Sequence, residues 1–170
     1  MNQPTPIHLE AATEADVPTI LRFILELAAY ERLAHEVVAT EDTLGAALFG
    51  LDRIAHAVVA RAGTEPAGFA LYFFSFSTFL SKRGLYLEDL YVTPAWRRHG
   101  IGRMLLSHLA RIAVDQGCGR MEWSVLDWNE PALAVYRAIG ARPMSEWTVQ
   151  RLSGRALEAL AEAAPAAPRS

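Results

Sequence analysis

Cysteine is almost absent: Cys118 stands alone among 170 residues, so neither an intrachain disulfide nor a cysteine-rich zinc site can form. The five histidines, His8, His35, His56, His99 and His108, fall at no metal-ligand spacing, and no metal is expected. A basic surplus is lacking as well. Sixteen Lys and Arg against 19 Asp and Glu leave a net charge of −3, which offers no general attraction for nucleic acid or an anionic membrane, and neither is expected as a partner. Long apolar runs are missing too: the stretch from Gly68 to Phe76 falls far short of the roughly 20 residues that span a bilayer as a helix. The opening Met1-Asn2-Gln3-Pro4-Thr5-Pro6 has neither the basic stretch nor the apolar run of a signal peptide. A reducing, cytoplasmic setting is expected. There is no internal repeat or interdomain linker, and the length suffices for one good core but not two. A single domain over 1–163 is expected, with the Ala- and Pro-rich 164–170 as a disordered tail.

The apolar periods alternate between two and 3.6, the mark of a mixed α/β domain. Ile7 and Leu9 predict a short first strand. Thr13 can cap a helix whose Val17, Ile20, Leu21, Ile24 and Leu27 share one face, running to about Leu33, and Thr40 caps a shorter helix ending near Gly50. Arg53 to Ala60 and Gly68 to Phe74 read as antiparallel strands about a turn at Ala62–Pro66, and Leu85 to Val92 as a further strand holding Glu88 and Asp89. A long helix is expected from about Gly100 to Gln116, a strand over Met121–Leu126, a helix over Glu130–Ile139 capped by Asn129, a last strand over Trp147–Leu152, and a helix from about Arg155.

Two segments point to chemistry. Arg97-Arg98-His99-Gly100-Ile101-Gly102 lies between a strand and a helix, where unpaired backbone N–H groups and the positive end of the helix dipole meet. Gly100 and Gly102 leave the backbone open to a phosphate, and Arg97, Arg98 and Arg103 add charge, which suits a pyrophosphate. The segment is neither a Walker loop nor a dinucleotide fingerprint, because the Lys-Ser/Thr pair and the third glycine are missing; alone, such a glycine pair is more often a plain turn. The second segment is Trp128-Asn129-Glu130-Pro131 through Tyr136. Asn129 and Tyr136 are seven residues apart, so a helix places them on one face about 10 Å apart along its axis. Taken singly, one can be an N-cap and the other a core aromatic.

A strand, Arg-x-x-Gly-x-Gly, a long helix, another strand and a helix bearing Asn and Tyr together resemble the GNAT superfamily of N-acetyltransferases. More narrowly, Glu26-Leu27-Ala28-Ala29-Tyr30-Glu31, Gly68 to Phe73, Leu85-Tyr86-Leu87-Glu88-Asp89-Leu90 and Trp128-Asn129-Glu130-Pro131 resemble the diamine (spermidine/spermine) acetyltransferase group. The similarity runs from about Ile7 to Leu152. It implies a mostly antiparallel, twisted sheet that splays open beside the strand from Leu85 to Val92, flanked by helices, with acetyl-CoA in the opening. Leu90, Tyr91 and Val92 would meet the pantetheine arm through their backbone. Arg97, Arg98, His99, Gly100, Ile101, Gly102 and Arg103 would hold the pyrophosphate, Asn129 would bond the pantetheine region, and Tyr136 would reach the sulfur.

The chemistry is consistent with those roles. An alkyl amine with a pKa near about 10.4 must lose a proton before it attacks a thioester, so a base in an acidic site is needed. Glu88 is expected as that base, directly or through water, with Tyr30, Glu31 and Asp89 completing the substrate side; alternation along a strand puts Glu88 and Asp89 on opposite faces. Tyr136 is expected to protonate the leaving thiolate, and the Val92 amide to donate to the thioester oxygen. Cys118, between two glycines and without an evident His partner, is an incidental thiol, so direct transfer in a ternary complex is preferred over an acyl-enzyme. In the diamine group an acid and a tryptophan precede the catalytic strand; here the stretch reads Ser77-Thr78-Phe79. The missing acid points toward a smaller amine, such as a thialysine-like amino acid or another diamine. The resemblance also implies a homodimer. The alternatives are a non-catalytic acyl-CoA sensor, a nucleotide-binding regulatory domain, and an acetyltransferase of protein amines.

Overall fold

The computed structural model describes residues 5–165, which fall into two units divided after Leu133. In the first unit β1 (Ile7–Ala11), β2 (His56–Ala62), β3 (Glu65–Ser77), β4 (Lys82–Val92) and β5 (Arg120–Trp123) form one sheet in chain order. The first three pairings are antiparallel, whereas β5 runs parallel to β4. A parallel neighbour needs a crossover, and α3 (Ile101–Asp115) supplies it.

α1 (Val17–Tyr30) and α2 (Glu41–Phe49) bury their apolar stripes on one face of the sheet. Val17, Ile20, Phe23, Leu44 and Leu48 close with Ala57, Val59, Phe69, Leu71 and Tyr91 into one core. The alternate residues Val58, Ala60, Ala70 and Leu87 are buried toward the other face, where α3 packs with Ile101, Leu105 and Leu109. Thr13 caps a short 3-10 turn at Glu14–Asp16 and not α1 itself, and α1 stops at Tyr30, three residues before the expected Leu33. The reason is local: Leu33 N donates to Ala28 O at 2.7 Å and Arg32 takes a positive φ of 64°, which ends the helix.

β3 and β4 are longer than their apolar cores foretell, because the hairpin keeps pairing out to Ser77 and Lys82. Its ladder is interrupted once. Leu71 pairs with Asp89 and Tyr72 with Leu87, which leaves Glu88 as an extra residue in a β-bulge.

The second unit begins within α4 (Glu130–Ala138) and includes α5 (Gly154–Glu162). The strand expected over Trp147–Leu152 is not formed. Trp147 and Val149 are 72% and 81% exposed, and among the described residues of this unit no other strand offers a ladder partner, so alternation there finds nothing to pair with. Of the tail expected to be disordered, 166–170 lie outside the described residues.

Candidate active site

The bulge shapes the site. β5 follows β4 from Gly84↔Arg120 to Leu87↔Trp123 and then stops. β5 was expected to continue to Leu126, but the ladder ends where the bulge begins. Glu88 through Val92 therefore have no ladder partner on the β5 side among the described residues. This open edge includes Leu90, Tyr91 and Val92, where the expected splay falls.

Register also decides which acid faces where. Asp89 is opposite Leu71, and Leu71 and Tyr91 belong to the core under α1, so Asp89 lies on the α1 face. The extra residue breaks the strict alternation that expected Glu88 and Asp89 on opposite faces, because a bulge changes the parity of a strand. Glu88 is exposed and unpaired with β3, while Asp89 is half-buried. Burial pushes the Asp89 carboxyl up to about 6, and the neighbouring Glu88 and Glu31 carboxylates reinforce the rise. Glu31, the residue that caps the C-terminus of α1, is likewise raised by burial. Three carboxyl groups thus share one neighbourhood, an arrangement that can attract a cation.

Around them is an aromatic and cationic layer. The Tyr30 hydroxyl donates to Asn129 Oδ1 at 3.4 Å, and its ring lies 5.8 Å from that of Trp128. Asn129 Oδ1 also accepts from the Ala132 amide at 3.4 Å, so Asn129 caps α4 and meets Tyr30 at once. Arg97 donates from Nε to the Val92 carbonyl at 3.1 Å, with its guanidinium 5.3 Å from the Tyr30 ring and 5.8 Å from the Tyr91 ring. Its charge is thus spent largely within the chain. Tyr91 is raised by burial and by Glu26, and Arg97 opposes the rise.

After β4 the backbone turns sharply into α3. Arg98 has a φ of 67° and Gly100 of 80°, both in the left-handed region, and Gly100 is the N-cap of α3. The first helical hydrogen bond runs from Met104 N to Gly100 O at 3.0 Å, so the amides of Ile101, Gly102 and Arg103 precede it. Gly102 keeps this turn bare: a Cβ there would approach nothing nearer than Leu90 Cδ2 at 3.8 Å. The chain itself has no packing need for glycine at that position, which fits a ligand's close approach. Arg98, His99 and Arg103 are exposed, and His99 Nδ1 lies 2.9 Å from the Arg97 carbonyl. Tyr136 lies half-buried on α4, in the second unit.

One group escaped the sequence reading. Arg120 and Glu122 on β5 are paired, Nε to Oε2 at 2.7 Å, and Arg120 also reaches Ser77 Oγ at 3.4 Å. The i, i+2 spacing on one strand could have pointed to it, since such residues share a face.

The sequence profile of the Acetyltransferase (GNAT) family matches residues 23–141. Thialysine N-epsilon-acetyltransferase of Bos taurus is 39% identical over 166 residues, covering 91% of this chain and 97% of that protein. L-ornithine N5-acetyltransferase of Arabidopsis thaliana is 32% identical over 197 residues, covering 89% and 86%. Among solved structures, an integron cassette protein of V. cholerae superposes with a TM-score of 0.77 at 27% identity, over 92% of this chain and 98% of that one.

Proposed function

The chain belongs to the acetyltransferase (GNAT) family and is an acetyl-CoA-dependent N-acetyltransferase of small-molecule amines, and from that premise we propose that its acceptor is the side-chain amine of a small amino acid, attacked directly in a ternary complex. The observation that carries the amine site is the cluster of Glu31, Glu88 and Asp89 beside the unpaired edge of β4. Relatives named for thialysine and L-ornithine support an amino acid over a polyamine.

Acetyl-CoA fits as co-substrate. The open edge at Leu90, Tyr91 and Val92 can pair with the amide groups of a pantetheine arm as an added strand would. The bare turn from Arg98 to Arg103 can hold the pyrophosphate on backbone amides, with Arg97 bracing that turn and Asn129 on the pantetheine side. The acceptor arrives as an ammonium, drawn by Glu31 and Asp89 with Tyr30 beside them. Glu88, at the bulge and open to water, takes its proton directly or through a water molecule. The freed nitrogen attacks the thioester carbon while the Val92 amide donates to the developing oxyanion. Collapse breaks the C–S bond as Tyr136 gives its proton to the departing thiolate, and the nitrogen, which still carries an extra proton after its attack, releases it to the resulting phenolate, so that a neutral amide, the CoA thiol and the phenol remain.

The same proposal treats residues 1–163 as one acetyltransferase domain working in the cytoplasm as a homodimer. The exposure of Trp147 and Val149 supports pairing; a solution mass by light scattering of twice 18.7 kDa is expected, and a monomer mass would remove the dimer. Thiol release from acetyl-CoA tests the activity, with thialysine, ornithine, lysine, spermidine, putrescine and a blank without amine. Turnover far above the blank with amino acids is expected. Turnover confined to the polyamines would reject the amino-acid acceptor, and none with any amine would reject small-amine acetylation.

A further inference from the structure

We infer that Arg120 and Glu122 read the zwitterionic end of the acceptor, Arg120 its α-carboxylate and Glu122 its α-ammonium, and so make this enzyme select amino acids over diamines of the same length. The inference rests on the small-amine acetyltransferase reading above and names the second half of that site.

The placement follows from register. Arg120 is level with Gly84 and Glu122 with Tyr86 across the parallel ladder, and Gly84 and Tyr86 are in turn opposite Ser75 and Phe73. Two residues further along β3, Leu71 is opposite Asp89. Leu71, Phe73 and Ser75 alternate onto one face, so Asp89, Glu122 and Arg120 all stand on that face. β3 has no extra residue over this stretch and serves as a ruler. At about 3.3 Å per residue, Glu122 lies about 7 Å from the level of Asp89 and Arg120 about 13 Å. An extended lysine-like side chain separates its terminal nitrogen from the α-carbon by about 6 Å. An amine held at Asp89 therefore puts the α-ammonium at the level of Glu122 and the carboxylate beyond it, toward Arg120.

What lies between and beneath suits such a molecule. Phe73 and Tyr86 stack with ring centroids 5.1 Å apart and supply an apolar floor for the methylenes. Position 84 is glycine, and a Cβ there would come within 2.6 Å of Ser75 Oγ and 3.7 Å of Arg120 Cγ, so the arginine lies across bare backbone. Among the described residues Ser75 Oγ is buried and without a hydrogen-bond partner, on the face where the Arg120 stem crosses Gly84. The Arg120 and Glu122 side chains are 44% and 37% exposed. The chain's bonds to Glu122 and Ser77 engage two of the five guanidinium donors, which leaves enough for a carboxylate. A diamine would bring a second cation and no carboxylate, leaving Arg120 unanswered.

The test uses the full chain and compares thialysine with its decarboxylated counterpart, and lysine with 1,5-diaminopentane, in thiol-release kinetics. The wild type is expected to favour each amino acid. Arg120→Gln is expected to raise KM for the amino acids about tenfold or more with kcat nearly unchanged and KM for the diamines the same or lower, and Arg120→Lys to recover part of the loss. Lysine methyl ester gives a check that needs no variant fold: the wild type should lose about tenfold in kcat/KM against lysine, and Arg120→Gln should not distinguish the two. Equal loss for amino acid and diamine, or indifference of the wild type to the ester, overturns the inference while acetylation of small amines stands. Absence of turnover with every amine overturns both.

Discussion

At the residue scale, the raised carboxyl of Asp89 has a kinetic signature. Its titration near 6 comes first from burial and then from Glu88 and Glu31, so below that pH the site holds a proton where it needs a negative charge. For a cationic acceptor kcat/KM should therefore fall as pH drops below about 6, with the enzyme still folded. Asp89→Asn should lower kcat/KM at pH 8 by about ten- to a hundredfold, the range of losing a charged contact, and abolish that acidic limb of the profile. A variant that keeps the wild-type limb would assign the titration to another group. None of this could be read from Leu87-Glu88-Asp89-Leu90 alone. Two adjacent acids announce a negative site, but the order of their environments depends on one bulge, and a bulge is a relation to the partner strand with no residue type of its own.

At the element scale, one-sided burial made the helices legible. α1 and α3 must each turn one stripe to the sheet, and that necessity writes the 3.6 spacing of Val17, Ile20 and Phe23 and of Ile101, Leu105 and Leu109. Strand ends were harder to read, since the hairpin from Phe76 to Lys82, exposed except at Ser77, carries no apolar alternation that burial would require. The glycine turn before α3 was legible because its chemistry is local; the Arg120–Glu122 pair was not, because its partner Ser77 on β3 is 43 residues away in sequence. The bulge makes the sharpest prediction here. Leu71 and Tyr72 already face opposite sides and pair with Asp89 and Leu87, so deleting Glu88 would regularise β4 while leaving every other side chain on its present face. The deletion variant should unfold cooperatively at a Tm no lower than the wild type, yet bind acetyl-CoA at least about tenfold more weakly, because a straight β4 keeps β5 alongside the edge that the pantetheine arm needs. Calorimetry that found acetyl-CoA affinity intact would separate the bulge from cofactor binding.

At the scale of the whole molecule, the buried Asp16 and the half-buried Asp89 pull stability in opposite directions with pH. Arg61 ties β2 to Glu10 on β1 and to Asp16 in the turn before α1. Burial disfavours the Asp16 charge, but the Thr13 hydrogen bonds and Arg61 outweigh it and hold the carboxyl below its usual range. Its contribution is present above the unfolded value near 3.8 and is lost as pH falls through the folded one. Asp89 has the reverse sign: with the folded group at about 6 against 3.8, the native state prefers the proton, and stability is lost as pH rises from about 4 through 6. At roughly 1.4 kcal/mol per pK unit the shift amounts to about 3 kcal/mol at most. Asp89→Asn should therefore unfold at the same temperature as the wild type near pH 4 and several degrees higher above pH 7. Asp16→Asn leaves Arg61 without one of its two partners and should be destabilised by about 3 kcal/mol at pH 7, the deficit shrinking as the solution is acidified below pH 4. Urea titrations of both variants across pH 3 to 8 decide the matter, and a flat difference between Asp89→Asn and the wild type would deny the carboxylate its cost. If the two curves part as expected, the protein carries its least stable charge at the place where an ammonium would neutralise it, so an amine substrate should raise the wild-type Tm at pH 8 more than that of Asp89→Asn.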